Sequence, residues 1–342
     1  MFKNLKKRYK ALIIFGSIVT FLTFFLGFIN IIPPKKVIEN NPFIKASKED
    51  IPMLAAHRGG ALVNPENTLK AYKAAVEDFD IDIIESDIWV TKDGKLVFSH
   101  DGTIDRMSDV SLFDNSTDKH YIKDYTLEEL ENFNFGYGFK DKNGNYPYKN
   151  LVTKNQVDRK TILKENGVQI LQVDKLLEEF YESKPDLKFI VEIKNDGEEG
   201  QLAAGTLDNL LTNIYPNYKN NLVVGTFHDE VSQCLRSKHP TLHRGASTGD
   251  AAKFIITEWL KVNPFDDSDF TCLQIPTSFK AGGISFSLDD KQIINRAHRK
   301  NMAVQYRTID DAEEMKYLAD LGCDCIMTND PELFIKTFKG GN

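Results

Sequence analysis

Apolar residues fall along this chain in two rhythms. From Met53 onward, short runs rich in Ile, Val, Leu and Phe alternate with stretches whose apolar positions recur three and four apart. The short runs predict strands at 53–57, 83–88, 188–194, 222–227, 243–247, 271–275, 302–307 and 325–328. The longer stretches predict helices. Leu69, Tyr72, Val76 and Phe79 share one helical face, and 174–181, 229–238, 288–300 and 311–321 behave alike. Asn64-Pro65-Glu66 predicts the start of the first helix, with an Asn cap and Pro in the first turn. Eight strands with interleaved helices over about 290 residues predict an α/β fold of the TIM (β/α)8 barrel type, occupying 51–338. A doubly wound sheet fits less well, because no Gly-rich turn follows the first strand. The stretch 103–167 is rich in Asp, Asn, Lys, Tyr and Gly, breaks the rhythm, and reads as an insertion over one loop.

The amino-terminal pattern is different. Ala11 to Ile32 is a run of 22 residues without a charge. At about 1.5 Å per residue it spans roughly 30 Å, the thickness of a hydrocarbon core. The run leads into Asn30, Pro33, Pro34 and Lys35 with no small-residue cleavage pattern, so an uncleaved anchor is favoured over a removed signal. The expected organisation is a cytoplasmic basic segment at 1–10, a transmembrane anchor at 11–32, a tether at 33–50, and then the barrel. Five cations precede the span and two follow it, which predicts a single-pass protein of the cell membrane with a cytoplasmic amino terminus and an extracytoplasmic body.

Composition excludes some classes. With 41% hydrophobic and 27% charged residues, the chain is neither fibrous nor wholly disordered. The net charge of -7 hides an asymmetry, since residues 1–36 hold seven cations and no acids. The remainder, 36 cations against 50 acids, would repel a phosphate backbone and excludes nucleic acid as a partner. Cys234, Cys272, Cys323 and Cys325 lack the spacing of a disulfide framework or zinc site and read as buried thiols. Asn115-Ser116-Thr117 matches a glycosylation sequon and adds nothing to the functional reading.

Candidate chemistry sits at the ends of the expected strands, where barrels of this type place their sites. The first strand ends in His57-Arg58-Gly59. In the second, Glu85 and Asp87 are two apart and share a face, with Ile84, Ser86 and Ile88 on the other. Two carboxylates aimed into a barrel mouth repel one another and lose hydration; a divalent cation removes that cost. Asp93-Gly94 predicts a hairpin that carries the chain back to His100-Asp101 above the mouth. Glu192 and Lys194 repeat the spacing of two on another strand, a carboxylate beside an ammonium suited to a metal-bound phosphoryl group. Each signal alone also has a bland reading: a backbone-bonded His, a solvent-facing carboxylate, an interior ion pair.

Together and in this order they resemble the glycerophosphodiester phosphodiesterase family. The resemblance rests on His57-Arg58-Gly59, Pro65-Glu66-Asn67-Thr68, Ile84-Glu85-Ser86-Asp87-Ile88, Thr91-Lys92-Asp93-Gly94 and His100-Asp101. It continues through Thr126-Leu127-Glu128-Glu129-Leu130, Val191-Glu192-Ile193-Lys194, Gly225-Thr226-Phe227 and Met327-Thr328-Asn329-Asp330-Pro331. It implies a TIM barrel that hydrolyses glycerophosphodiesters to an alcohol and glycerol 3-phosphate. By the same resemblance Glu85, Asp87 and Glu192 match ligands of one divalent cation, Ca²⁺ or Mg²⁺. His57 and His100 match paired acid–base histidines, and Arg58 and Lys194 match phosphate contacts. Two positions depart from the pattern. Arg307 stands in the usual Trp slot of the substrate pocket, and the closing Thr-Asp appears as Thr328-Asn329-Asp330. Lysophospholipids cleaved in the manner of a phospholipase D are the alternative substrates, and a non-catalytic domain binding glycerol-phosphate or lipid head groups is the alternative class. His228 reads as a surface histidine beside Asp229. The aromatic cluster from Phe133 to Tyr148 reads as a satellite core in preference to a lid.

Overall fold

The computed structural model describes residues 7–29, 31–47, 50–114, 116–262 and 266–340. Asn115 of the sequon, the first six residues of the basic segment, Asn30, and Lys48 and Glu49 of the expected tether lie outside the described residues.

Eight strands run parallel in the order β6-β5-β4-β2-β1-β11-β10-β7. They are β1 (Met53–His57), β2 (Ile83–Val90), β4 (Lys188–Ile193), β5 (Leu222–Gly225), β6 (His243–Arg244), β7 (Cys272–Ile275), β10 (Ala303–Tyr306) and β11 (Cys325–Thr328). Just past β6, Gly245 bridges Cys272 in parallel register. The Ala246 N–H donates to the Cys272 carbonyl at 2.9 Å, and the Thr271 N–H to the Arg244 carbonyl at 2.7 Å. These contacts close the sheet into the expected TIM barrel.

Alternation along each strand sorts its side chains. Leu54, Ala56, Ile84, Ile88, Phe189, Val191 and Ile193 face outward into the main core. Ala55, Ile83, Ile190, Val223, Cys272, Ala303 and Cys325 face inward and form a second, smaller core at the amino-terminal end of the barrel. The outer layer comprises α2 (Leu69–Asp78), α5 (Val173–Tyr181), α6 (Gly197–Asn209), α7 (Asp229–Lys238), α8 (Thr248–Trp259), α9 (Lys291–Arg299), α10 (Ala312–Leu321) and α11 (Pro331–Phe338). Within the insertion lie the short α3 (Leu127–Leu130) and α4 (Arg159–Glu165). All four cysteines are buried free thiols.

Several boundaries differ from the sequence reading. Helix α2 begins at Leu69, not at Asn64. Its cap is Thr68, whose hydroxyl accepts from the Ala71 N–H. The chain cannot be helical earlier, because Asn67 is left-handed at φ 57° and the Thr68 hydroxyl donates back to the Pro65 carbonyl. Helix α9 begins at Lys291 behind an Asp290 cap. Leu288, expected inside it, instead donates its N–H to the Thr277 carbonyl and closes a hairpin of β8 (Ser278–Ala281) and β9 (Ile284–Ser287) that the pattern did not reveal.

The insertion builds the expected satellite core. Ile104, Val110, Ile122, Leu130, Phe133 and Phe135 pack with Val97 of β3 (Leu96–Phe98) and with Ile170. Thr126 and Glu129 form a capping box at the start of α3, and the Leu127 N–H donates to Asp93 Oδ1 at 3.0 Å. The Thr126–Leu130 motif thereby props the β2–β3 hairpin.

Helix α1 (Lys7–Ile29) is long and apolar enough to cross a membrane. The segment after it is not a free tether over its whole length. Phe43 is fully buried in the inner core beneath Ala55, Ile83 and Cys325. Around it Asn41 Nδ2 donates to the carbonyls of Thr271 and Asn301, and the Lys45 N–H donates to Asp324 Oδ1. Residues 36–45 are therefore a strap across the barrel's amino-terminal face, with Phe43 as its plug.

Candidate active site

One sharp turn positions the first two residues. His57 ends β1, and Arg58, Gly59 and Gly60 follow with φ of 54°, 80° and 92°. A Cβ at Gly59 would lie 2.9 Å from both Ala71 Cβ and the Tyr72 ring, so only glycine fits there. Arg58 bears the left-handed conformation without that freedom, at a cost of order 1–3 kcal/mol. The turn aims its N–H at Glu85 Oε2, 3.0 Å away.

In-register pairing places the carboxylates. β2 and β4 pair with Asp87 beside Glu192 and Glu85 beside Ile190, and β1 pairs with β2 through His57 and Glu85. Glu85, Asp87 and Glu192 each present a carboxylate oxygen within 4.8 Å of the others. Lys194 Nζ lies 3.1 Å from Asp87 Oδ1 and 2.8 Å from Glu192 Oε1. Arg58 Nε is 3.5 Å from Asp87 Oδ2, an oxygen that is buried without a hydrogen bond. Two cations thus face three buried carboxylates. Burial, with Asp87 and Glu192 close by, pushes the Glu85 carboxyl well above the usual carboxylate range. Burial works against the Lys194 ammonium, but Asp87 and Glu192 outweigh it and raise its pKa. An all-oxygen donor set with an orphaned carboxylate oxygen and a residual negative charge fits a hard divalent cation.

His57 is fixed by a relay from the last strand. Asn329 Nδ2 donates to Asp310 Oδ2 at 2.7 Å, which leaves Asn329 Oδ1 to accept from His57 Nδ1 at 2.6 Å. The protonated nitrogen is therefore Nδ1. Nε2 is left free, 3.8 Å from Glu85 Oε2. Burial and the neighbouring Arg58 lower the His57 pKa to about 4.

The β2–β3 hairpin returns as expected, with the Ser99 N–H donating to the Asp87 carbonyl at 3.0 Å. His100 follows at that height, its Nδ1 held by Asp101 Oδ1 at 2.8 Å. Asp101 is in turn held by Arg106 Nε at 2.6 Å, and Arg106 bonds Glu66, which reaches Arg58 Nη1 at 3.3 Å. One chain of ionic contacts thus runs from His100 to Arg58. Asn329, Asp310, Asp101, Arg106 and Glu66 are supporting residues to which sequence reasoning assigned no role. Glu66, Asp101 and Asn329 lie inside the family motifs, and that membership is their only signal in the sequence.

Arg307 lies in the same mouth. It lines a cleft with Glu85, Glu192, Gly225, Phe227 and Gln274. Its guanidinium carbon sits 4.8 Å from the centre of the Phe227 ring, and its Nε is buried without a hydrogen bond. His228 points elsewhere, its Nε2 meeting the Lys194 carbonyl at 3.1 Å.

Residues 57–333 match the model of the glycerophosphoryl diester phosphodiesterase family. The chain belongs to that family. A glycerophosphodiester phosphodiesterase from Caldanaerobacter subterraneus is 24% identical over 293 residues, covering 84% of this chain and 98% of the relative. One from Bacillus subtilis is 23% identical over 84% of this chain and 87% of its own. Among solved structures, the glycerophosphoryl diester phosphodiesterase domain of a Mycobacterium tuberculosis protein has a TM-score of 0.65 at 15% identity, covering 85% of this chain and all of that one. A phosphodiesterase from Oleispira antarctica, solved with the product sn-glycerol 3-phosphate, has a TM-score of 0.59 at 19% identity, covering 84% and 97%. These similarities agree with the barrel described above. As a glycerophosphodiester phosphodiesterase family member, the protein is an enzyme of phosphodiester hydrolysis, and its acidic triad can hold a metal ion.

Proposed function

We propose that the protein is a membrane-anchored, divalent-cation-dependent enzyme that cleaves glycerophosphodiesters to an alcohol and sn-glycerol 3-phosphate. The convergence of Glu85, Asp87 and Glu192 within 4.8 Å at the barrel mouth carries this reading. The Oleispira antarctica enzyme, similar in fold, was solved with the same product.

Glu85, Asp87 and Glu192 would hold Ca²⁺ or Mg²⁺, which supplies Lewis-acid polarisation of the phosphoryl oxygens when bound. Arg58 and Lys194 bind the phosphodiester and offset charge that builds on it. His57 accepts a proton at its free Nε2, from water or from the substrate's own glycerol hydroxyl. His100, fixed by Asp101, delivers a proton to the departing alcohol. Arg307, stacked on Phe227 where the family usually carries Trp, favours a leaving group or product with an extra negative charge. Helix α1 serves as an uncleaved anchor, with the barrel outside the cell. An enzyme anchored in a membrane also meets amphiphilic substrates, so lysophospholipase D activity is the second reading.

The test offers glycerophosphocholine and lysophosphatidylcholine together to the full chain in detergent with Mg²⁺ or Ca²⁺, followed by phosphorus NMR beside His57→Ala. Glycerol 3-phosphate formed by the native chain alone is the expected result. Lysophosphatidic acid instead would establish the second reading, and neither product with either metal would refute both on choline substrates.

A further inference from the structure

The strap says which way the barrel faces. Every described contact of residues 36–45 is made at the amino-terminal end of the strands. Lys36 Nζ pairs with Asp269 just before β7 at 2.8 Å. The Ile38 N–H donates to the Lys300 carbonyl at 2.8 Å, and Asn301 Nδ2 returns a bond to the Ile38 carbonyl at 2.7 Å, both just before β10. Lys45 reaches Asp324 at the start of β11, and Phe43 fills the barrel axis below Ala55 and Ile83. Six residues separate Ile29, the end of α1, from Lys36, and the seven steps between them reach at most about 25 Å. Part of that reach is already used, because Arg299 Nη2 donates to the Ile32 carbonyl at 3.3 Å beside the carboxy-terminal end of α9. The acidic triad, His57 and Lys194 occupy the opposite end. Along β1 alone, four steps of about 3.3 Å raise His57 some 13 Å above Met53, on the far side of the plug.

Resting on the anchor reading of α1, we infer that the strap holds the plugged face of the barrel against the bilayer and turns the catalytic mouth away from it. Substrates then reach the site from the aqueous side. The class that fits is a water-soluble or polymer-borne glycerophosphodiester. A lysophospholipid seated in the enzyme's own bilayer presents its phosphate at the wrong end of the barrel. Arg307 and the cleft that it lines then open to the solution.

The test uses the full chain reconstituted in phosphatidylcholine vesicles that carry an acceptor-labelled lipid head group. The four native cysteines are buried, so a maleimide donor reports on one added thiol. Asp186→Cys places it just before β4 on the strap's face, and Lys95→Cys places it at the tip of the β2–β3 hairpin above the mouth. Energy transfer several-fold stronger from position 186 than from 95 is expected, with glycerophosphocholine in solution hydrolysed faster than lysophosphatidylcholine in the same bilayer. Equal transfer, stronger transfer from 95, or faster cleavage of the embedded lysophospholipid would overturn the orientation. Protein that does not float with the vesicles would overturn the anchor reading, and the orientation with it.

Discussion

The two ends of the barrel are built from the same strands and the same inward face, yet they obey opposite rules. On β2 the inward series is Ile83, Glu85, Asp87, and on β4 with its next residue it is Ile190, Glu192, Lys194. The first member of each series joins Ala55, Val223, Cys272, Ala303, Cys325 and Phe43 in a dry apolar layer. Two residues later the face turns charged, crowded with carboxylates and strained at Arg58. A rise of about 6.6 Å separates a layer that stabilises from one that costs stability. Burial of apolar area stabilises the first at about 25 cal/mol per Å². The second is a set of like charges that folding forces together, tolerable only because Lys194 and Arg58 sit among them and a cation can complete them. Function has been confined to the end of the strands that the core can spare.

That contrast can be broken at either end. His57→Ala should lower kcat by about 10²–10⁴ and leave the melting temperature close to native, measured by glycerol 3-phosphate formation and calorimetry. Phe43→Ala should do the reverse. Emptying the plug should cost about 3–5 kcal/mol in denaturant titration, with kcat per folded molecule unchanged. Should kcat fall with stability instead, the two layers would not be separable. Ca²⁺ or Mg²⁺ at a hundred times its Kd should raise stability by about 2.7 kcal/mol, and Glu85→Gln should abolish that rise. The smallest effect is one of preference. A charge-assisted hydrogen bond is worth about 1.5–3 kcal/mol, so Arg307→Trp should shift the ratio of activity on anionic against neutral substrates by roughly tenfold or more. An unchanged ratio would remove Arg307 from substrate selection.

Strand positions were legible because alternation is a local property. All eight barrel strands lie at the short runs that predicted them, and the spacing of two at Glu85/Asp87 and Glu192/Lys194 put each pair on one face. Helix starts were less legible. Asn64-Pro65-Glu66 has the composition of a cap, but Glu66 is drawn to Arg58 and Arg106, and the helix waits for Thr68. The β8–β9 hairpin escaped notice because its stability comes from Trp259 stacked on Phe279 and Phe286, a contact between distant segments. The strap escaped for the same reason. Residues 33–50 have a linker's composition, and only the open end of the barrel gives Phe43 somewhere to go.

By itself the sequence determined the strand order of inward carboxylates, the histidines that flank them, the barrel's rhythm and the apolar amino-terminal helix. Those follow from period, charge and motif, which are written in neighbouring residues. Tertiary structure alone decided that Asp310 and Asn329 set the His57 tautomer, that Arg106 links His100 to Arg58, and that Arg307 stacks on Phe227 inside the mouth. It also decided which end of the barrel the amino-terminal segment closes. Each of these depends on groups far apart in the chain that meet only when the sheet shuts on itself, and no local pattern carries that distance.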